Sequence, residues 1–159
     1  MMLSGAAKAK IDKELTKYPP NQKQSAVMAA LAIAQDEHGW LPNELMDEVA
    51  RYLDMAPIAV YEVATFYNMY NLEPVGKSKI TICTNLPCAL SGANEAADHL
   101  KHKLGIGFNQ TSADGKFTLK EGECMGACGD APVLLVNNKR MCEKMSNAKL
   151  DMLIAELNQ

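Results

Sequence analysis

Lys79-Ile80-Thr81-Ile82-Cys83-Thr84-Asn85-Leu86-Pro87-Cys88 is where the chain changes its period. Up to Cys83 the apolar side chains alternate, as they do in a strand with one buried face. The preceding residues repeat at helical spacing. From about Ser91 or Gly92 a helical stripe returns, with Ala93, Ala96, Ala97, Leu100 and Leu104 on one face. Further on, Phe117 and Leu119 alternate after the turn signal Asp114-Gly115, and a short strand is predicted near Phe108 to Thr111. Val133 to Val136 is a continuous apolar run that suits a buried central strand. Asn137-Asn138 can adopt positive φ, which predicts a hairpin into Arg140-Met141-Cys142. Ser146 can cap a last helix, where Leu150, Leu153, Ile154 and Leu157 follow i, i+3, i+4, i+7. Strand, helix, strands, helix describes helices covering a small sheet.

Working back from Lys79, the stretch Asn71-Leu72-Glu73-Pro74-Val75-Gly76-Lys77 breaks helical periodicity and reads as a linker. Before it, four helices are predicted. Ser4 to Lys17 carries Ala7, Ile11 and Leu15, and Pro19-Pro20 follows. Gln22 to His38 carries Val27, Ala30, Leu31 and Ala34, with Gly39 as its C′ residue. A third helix after Pro42 buries Leu45, Val49 and Leu53. A fourth, Pro57 to Tyr67, presents Val60, Val63 and Ala64. The fold class is therefore α+β: residues 1–75 a helical bundle, residues 76–159 an α/β domain.

The 159 residues are 48% hydrophobic and 22% charged, with a formal net charge of −3. That composition describes a globular chain with no electrostatic case for a nucleic-acid partner. No apolar run approaches the ~20 residues of a membrane span. The first residues lack a secretory pattern, so an intracellular location is expected. In a reducing compartment five cysteines are poor disulfide formers.

Four of those cysteines fall in two local pairs. Cys83 and Cys88 enclose four residues, Cys124 and Cys128 enclose three, and 35 residues separate the pairs. Each pair follows a predicted strand. A [2Fe–2S] cluster asks two protein sulfurs of each iron, which two local pairs can meet. Cys83 and Cys88 would hold one iron, Cys124 and Cys128 the other. Pro87 stiffens the loop between the first two, and Gly126 and Gly129 permit tight turns around the second two. Structural zinc also takes four cysteines, but its pairs usually enclose two residues. A thioredoxin-type redox site needs Cys-x-x-Cys, which is absent here. A zinc-stabilised module and structural thiols stay open as alternatives. Cys142 stands alone and is read as a small buried hydrophobe.

Glu121, Glu123 and Asp130 are the acidic neighbours of these pairs and would lower a cluster's potential. His38, His99 and His102 are read as solvated helix surface. Among the aromatics, Phe66 is assigned to packing, with Trp40, Tyr67 and Tyr70 as interface candidates. The ten methionines read as core filler. No dinucleotide or Walker loop is present, and no nucleophile–base pair stands out. A chain of this kind is expected to be an electron relay docked against a partner that carries the hydride chemistry.

The cysteine pairs, with Gly126 inside the second and Ala131-Pro132 after it, resemble the thioredoxin-like [2Fe–2S] subunit of NADH:quinone oxidoreductase, respiratory complex I. His38-Gly39-Trp40-Leu41-Pro42, Val63-Ala64-Thr65-Phe66-Tyr67, Pro74-Val75-Gly76-Lys77 and Asp114-Gly115-Lys116-Phe117-Thr118-Leu119 resemble it too, in the same order, from about Pro20 to Leu157. The resemblance implies a helical bundle joined to a thioredoxin-like domain, and one [2Fe–2S] cluster on Cys83, Cys88, Cys124 and Cys128. It implies pairing with a flavoprotein subunit that binds FMN and NADH, alongside other peripheral-arm subunits, and no turnover by this chain alone. The implied location is the cytoplasmic face of a bacterial inner membrane, or the matrix side in mitochondria. Subunits of NAD-linked hydrogenases and formate dehydrogenases share the cysteine spacing.

Overall fold

The computed structural model describes residues 2–159, which form two compact units, one reaching Pro74 and the other starting at Val75. In the first unit Ser4 caps α1 (Gly5–Leu15), its hydroxyl accepting from the Ala7 N–H at 3.0 Å. This satisfies one of the donors that a helix start leaves orphaned. A 3₁₀ turn, Lys23–Ala26, leads into α2 (Val27–His38). Gly39 ends α2 at φ 83°, a left-handed conformation natural to glycine at C′. α3 is Asn43–Tyr52 and α4 is Pro57–Phe66, the latter with proline in its first turn.

Ile11, Leu31, Leu45, Val49 and Val60 meet in this unit's core with no exposed surface. Each such burial contributes roughly 1.5–3 kcal/mol before ordering costs. Two polar ties close the bundle. The Glu48 carboxylate on α3 is buried, accepting from the Leu3 N–H at 2.7 Å and pairing with Lys8 at 3.2 Å. Gln35 on α2 donates to the Met69 carbonyl at 3.1 Å and accepts from the Asn71 N–H at 2.5 Å.

The aromatics of this unit do not follow the sequence expectation. Phe66, assigned to packing, is 79% exposed at the end of α4. Tyr70, an interface candidate, is buried and donates its hydroxyl to the Met28 carbonyl at 2.9 Å. The helix ends at Phe66, so a residue on the apolar stripe is carried past the core, while the chain beyond Tyr67 turns Tyr70 back inward. Tyr67 stays partly exposed, edge-on to both rings. The methionines divide as well. Met46 and Met145 are buried, whereas Met2 and Met152 are well exposed and Met28 and Met141 partly so. Core filler describes only some of them.

The second unit is a five-stranded sheet, β1 (Ser78–Cys83), β2 (Gln110–Thr111), β3 (Phe117–Gly122), β4 (Leu134–Val136) and β5 (Arg140–Cys142), in the order β2-β3-β1-β4-β5. β1 is parallel to β3 and antiparallel to β4. The central strand is therefore β1, with the apolar run of β4 as its neighbour; burial on both sides does not require the middle position. Ile80 and Ile82 of β1 join Phe117, Leu119, Leu134 and Val136 in one core with Ala96, Ala97 and Leu100 of α6 (Ala93–Leu104) and Leu150, Leu153 and Ile154 of α7 (Asn147–Leu157). Asn137 and Asn138 turn the β4–β5 hairpin at φ 51° and 58°. Ser146 caps α7 through the Lys149 N–H. His99 on α6, read from sequence as solvated surface, meets Asp151 of α7 at 2.9 Å, because the two helices lie side by side on the sheet.

One element departs from the predicted loop. Residues between Cys83 and Cys88 do not stay irregular: Leu86–Leu90 forms a short helix, α5, with Pro87 in its first turn and Cys88 buried within it. Proline's fixed φ and missing donor suit that first turn, so the residue read as a loop stiffener starts a helix. Among the described residues, no helix is long and apolar enough to cross a membrane.

Candidate metal centre

The parallel ladder decides where the cysteines stand. Ser78 to Cys83 of β1 run in register with Phe117 to Gly122 of β3, ending on the pair Cys83–Gly122. Beyond that pair both strands stop, β1 turning into α5 and β3 into the loop 123–127. Cys88 and Cys124 thus emerge at one end of the sheet. The Thr84 N–H still donates to the Gly122 carbonyl at 3.3 Å, and the Cys83 N–H donates to the Val133 carbonyl at 3.1 Å. The start of the first cysteine loop is therefore held from both neighbouring strands.

The four sulfurs occupy two environments. Cys83 and Cys88 are each 1% exposed, packed with Ala93 and Val133 and flanked by Met125. Cys124 and Cys128 are exposed. Gly126 lies between the latter two at φ 72°, and its N–H donates to Cys124 Sγ at 3.4 Å. A β-carbon there would strain the turn, and the backbone amide it aims is the kind of donor that tunes a thiolate ligand. Cys128 begins a 3₁₀ turn ending at Asp130.

Burial pushes the Cys88 thiol up to about 11, and its hydrogen bond with Cys83 and the nearby Cys83 and Cys128 sulfurs push the same way. The Cys88 thiol therefore keeps its proton until a metal displaces it, so metal binding there releases a proton. Cys142 also titrates high, through burial, with the Arg140 guanidinium opposing. It lies in the sheet–helix core, as read from sequence.

Among the described residues, no three His, Cys, Asp or Glu side chains stand close enough to share a single ion. One tetrahedral zinc needs four such groups at one point. A two-iron centre needs two sulfurs at each of two points. Cys83 and Cys88, buried and hydrogen-bonded to each other, and Cys124 and Cys128, exposed on either side of the Gly126 turn, offer sulfurs in two pairs, so the donor set fits a [2Fe–2S] group.

The acidic neighbours are engaged. Glu121 accepts from the Thr84 hydroxyl at 2.8 Å, and Asp130 pairs with Lys144 at 3.2 Å. Asn85, which carries no signal in the sequence, spans the two cysteine loops. With its amide oriented to suit both neighbours, it donates to Glu123 Oε2 and accepts from the Cys124 N–H, each at 3.2 Å. Asparagine is common in loops for local reasons, so only the tertiary contact marks it.

The thioredoxin-like [2Fe–2S] ferredoxin family matches residues 11–158. An NADH-quinone oxidoreductase subunit of Rickettsia typhi is 44% identical over 143 residues, covering 89% of this chain and 84% of that protein. An NADH-quinone oxidoreductase subunit of Thermus thermophilus is 38% identical over 147 residues, covering 92% and 81%. Both relatives are subunits of a multi-subunit oxidoreductase. In a crystal structure of an NAD+-reducing [NiFe]-hydrogenase in the H2-reduced state, one segment superposes with a TM-score of 0.69 at 22% identity, covering 80% of this chain and 22% of that one, a likeness of fold. A match over nearly every residue, joined to two cysteine pairs at one end of a mixed sheet, settles the kinship: the chain belongs to the thioredoxin-like [2Fe–2S] ferredoxin family.

Proposed function

We propose that this chain is the electron-transfer subunit of an NADH:quinone oxidoreductase, with one [2Fe–2S] cluster held by Cys83, Cys88, Cys124 and Cys128 and electrons exchanged with the FMN of a partner NADH-oxidising subunit. The observation that carries this reading is the Cys83–Gly122 register, which delivers both cysteine pairs to one end of the sheet, in a chain 44% identical to such a subunit. The bound cluster supplies one-electron chemistry and no hydride transfer. Cys83 and Cys88, buried beside Ala93 and Val133, would hold one iron. Cys124 and Cys128, both exposed, would hold the other iron on the side open to a partner. Leu86 and Leu90 flank Cys88 on α5 and are 70% and 81% exposed, an apolar rim for that approach. The assembled complex sits at the membrane surface through its other subunits.

The test is anaerobic purification from the native host at modest salt. Two irons and two acid-labile sulfides per chain, an EPR signal on reduction and a co-purifying FMN protein support the reading. Colourless protein with one zinc would overturn it. Recovery with hydrogenase or formate dehydrogenase subunits would assign the same electron relay to a different complex.

A further inference from the structure

Thr84 and Asn85 are the first two residues after Cys83, and both reach across to the segment that carries Cys124. The Thr84 hydroxyl holds Glu121, while the Asn85 amide holds Glu123 and the Cys124 N–H together. Asn85 is thus bonded to the backbone of one cysteine on the outer pair while lying between the two cysteines of the inner pair. The strand ladder ends with the Thr84 N–H to Gly122 carbonyl bond, and beyond it Met125 packs beside Cys83 and Cys88 while loops 84–87 and 123–127 follow separate strands.

We infer that Asn85 is a positioning residue that clasps the two cysteine loops and sets the separation of the inner and outer sulfur pairs. It also occupies the Cys124 N–H, leaving the Gly126 N–H as the donor to Cys124 Sγ, and it anchors the Glu123 carboxylate beside the site. Partners one shell out from a metal ligand fix that ligand's orientation and electronics. The inference rests on the cluster reading above.

Three variants test it, each prepared anaerobically in the assembled complex beside the wild-type chain. The readouts are iron and sulfide content, the rate of cluster loss to a chelator, and the EPR spectrum and midpoint potential of the reduced centre. Asn85→Ala removes both bonds; the expected result is cluster loss about tenfold faster, with shifted g-values and potential. Asn85→Asp keeps an acceptor for the Cys124 N–H but sets a carboxylate against Glu123, and the same lability is expected. Adding Glu123→Gln to Asn85→Asp restores a donor–acceptor pair of nearly unchanged shape, and is expected to recover most of the lifetime and the wild-type spectrum. The inference is overturned if Asn85→Ala matches the wild type in lifetime and spectrum, or if the double variant is no better than Asn85→Asp. Wild-type protein without iron and sulfide would instead overturn the cluster reading, and this inference with it.

Discussion

Cys83 stands directly across the parallel ladder from Gly122. A β-carbon on that glycine would meet Thr81 Cγ2 and Met125 Cε, each at 2.8 Å, and the Ile82 carbonyl at 3.3 Å. Met125 can swing aside, but Thr81 is β-branched and held in β1. The absence of a side chain at Gly122 is therefore what lets the loop carrying Cys124 fold back close to β1.

Gly122→Ala is accordingly expected to destabilise the second unit by about 1–2 kcal/mol and to loosen the cluster more than this cost alone implies. Thermal unfolding followed by visible absorption should show bleaching at a lower temperature than the loss of helix signal from the first unit.

Gly76 is a sterner case. Its β-carbon would lie 2.8 Å from the Phe117 backbone carbon and nitrogen, and backbone cannot move aside. The Gly76 N–H also donates to the buried Thr118 hydroxyl at 2.7 Å. Gly76→Ala should cost about 2–3 kcal/mol and lower the unfolding temperature of this unit by roughly 10 °C, measured by calorimetry.

The cysteines should separate cleanly. Cys124→Ser removes a proposed ligand, and the reduced-cluster EPR signal should vanish or change its g-values. Cys142→Ser alters only the sheet–helix core, where the thiol is packed with Met145 and Leu153. It should retain iron, sulfide and the EPR signal, at a stability cost of about 1 kcal/mol. Loss of the signal in that variant would make Cys142 a ligand.

Acid should release the start of the chain. Hydrogen bonds from Ser4 hold the Glu37 carboxyl below its ordinary value of 4.5. A carboxyl depressed in the folded state stabilises it above its unfolded pKa, and that contribution disappears as pH falls through the folded value. Amide protection of residues 3–8, corrected for intrinsic rate, should therefore fall between about pH 5 and about pH 3. Glu37→Gln should flatten this dependence without touching the cluster.

Much of this molecule is readable from local chemistry. Ser4 and Ser146 cap their helices, Gly39 ends one, and Asn137-Asn138 turns a hairpin, because each depends on neighbours only a few residues away. The two cysteine pairs are readable for the same reason, since each is a local spacing. Phe66 and Tyr70 escape such a reading because burial at a helix end depends on where the following chain turns, which no periodicity records. The helix Leu86–Leu90 escapes it because a proline in a short segment suits a stiff loop and a first turn equally well.

Sequence alone determined the identity of the sulfur donors, their grouping in twos and the alternation that builds β1 and β3. Only the tertiary structure decided that those strands are parallel neighbours ending on Cys83 and Gly122, that one pair is buried and the other exposed, and that Asn85 reaches Glu123 and Cys124. The physical reason is range. Caps, turns and spacings are set by contacts within a turn or two of chain, whereas register and loop-to-loop bonds join residues nearly 40 positions apart, and their partners are chosen only when the whole sheet packs against its helices.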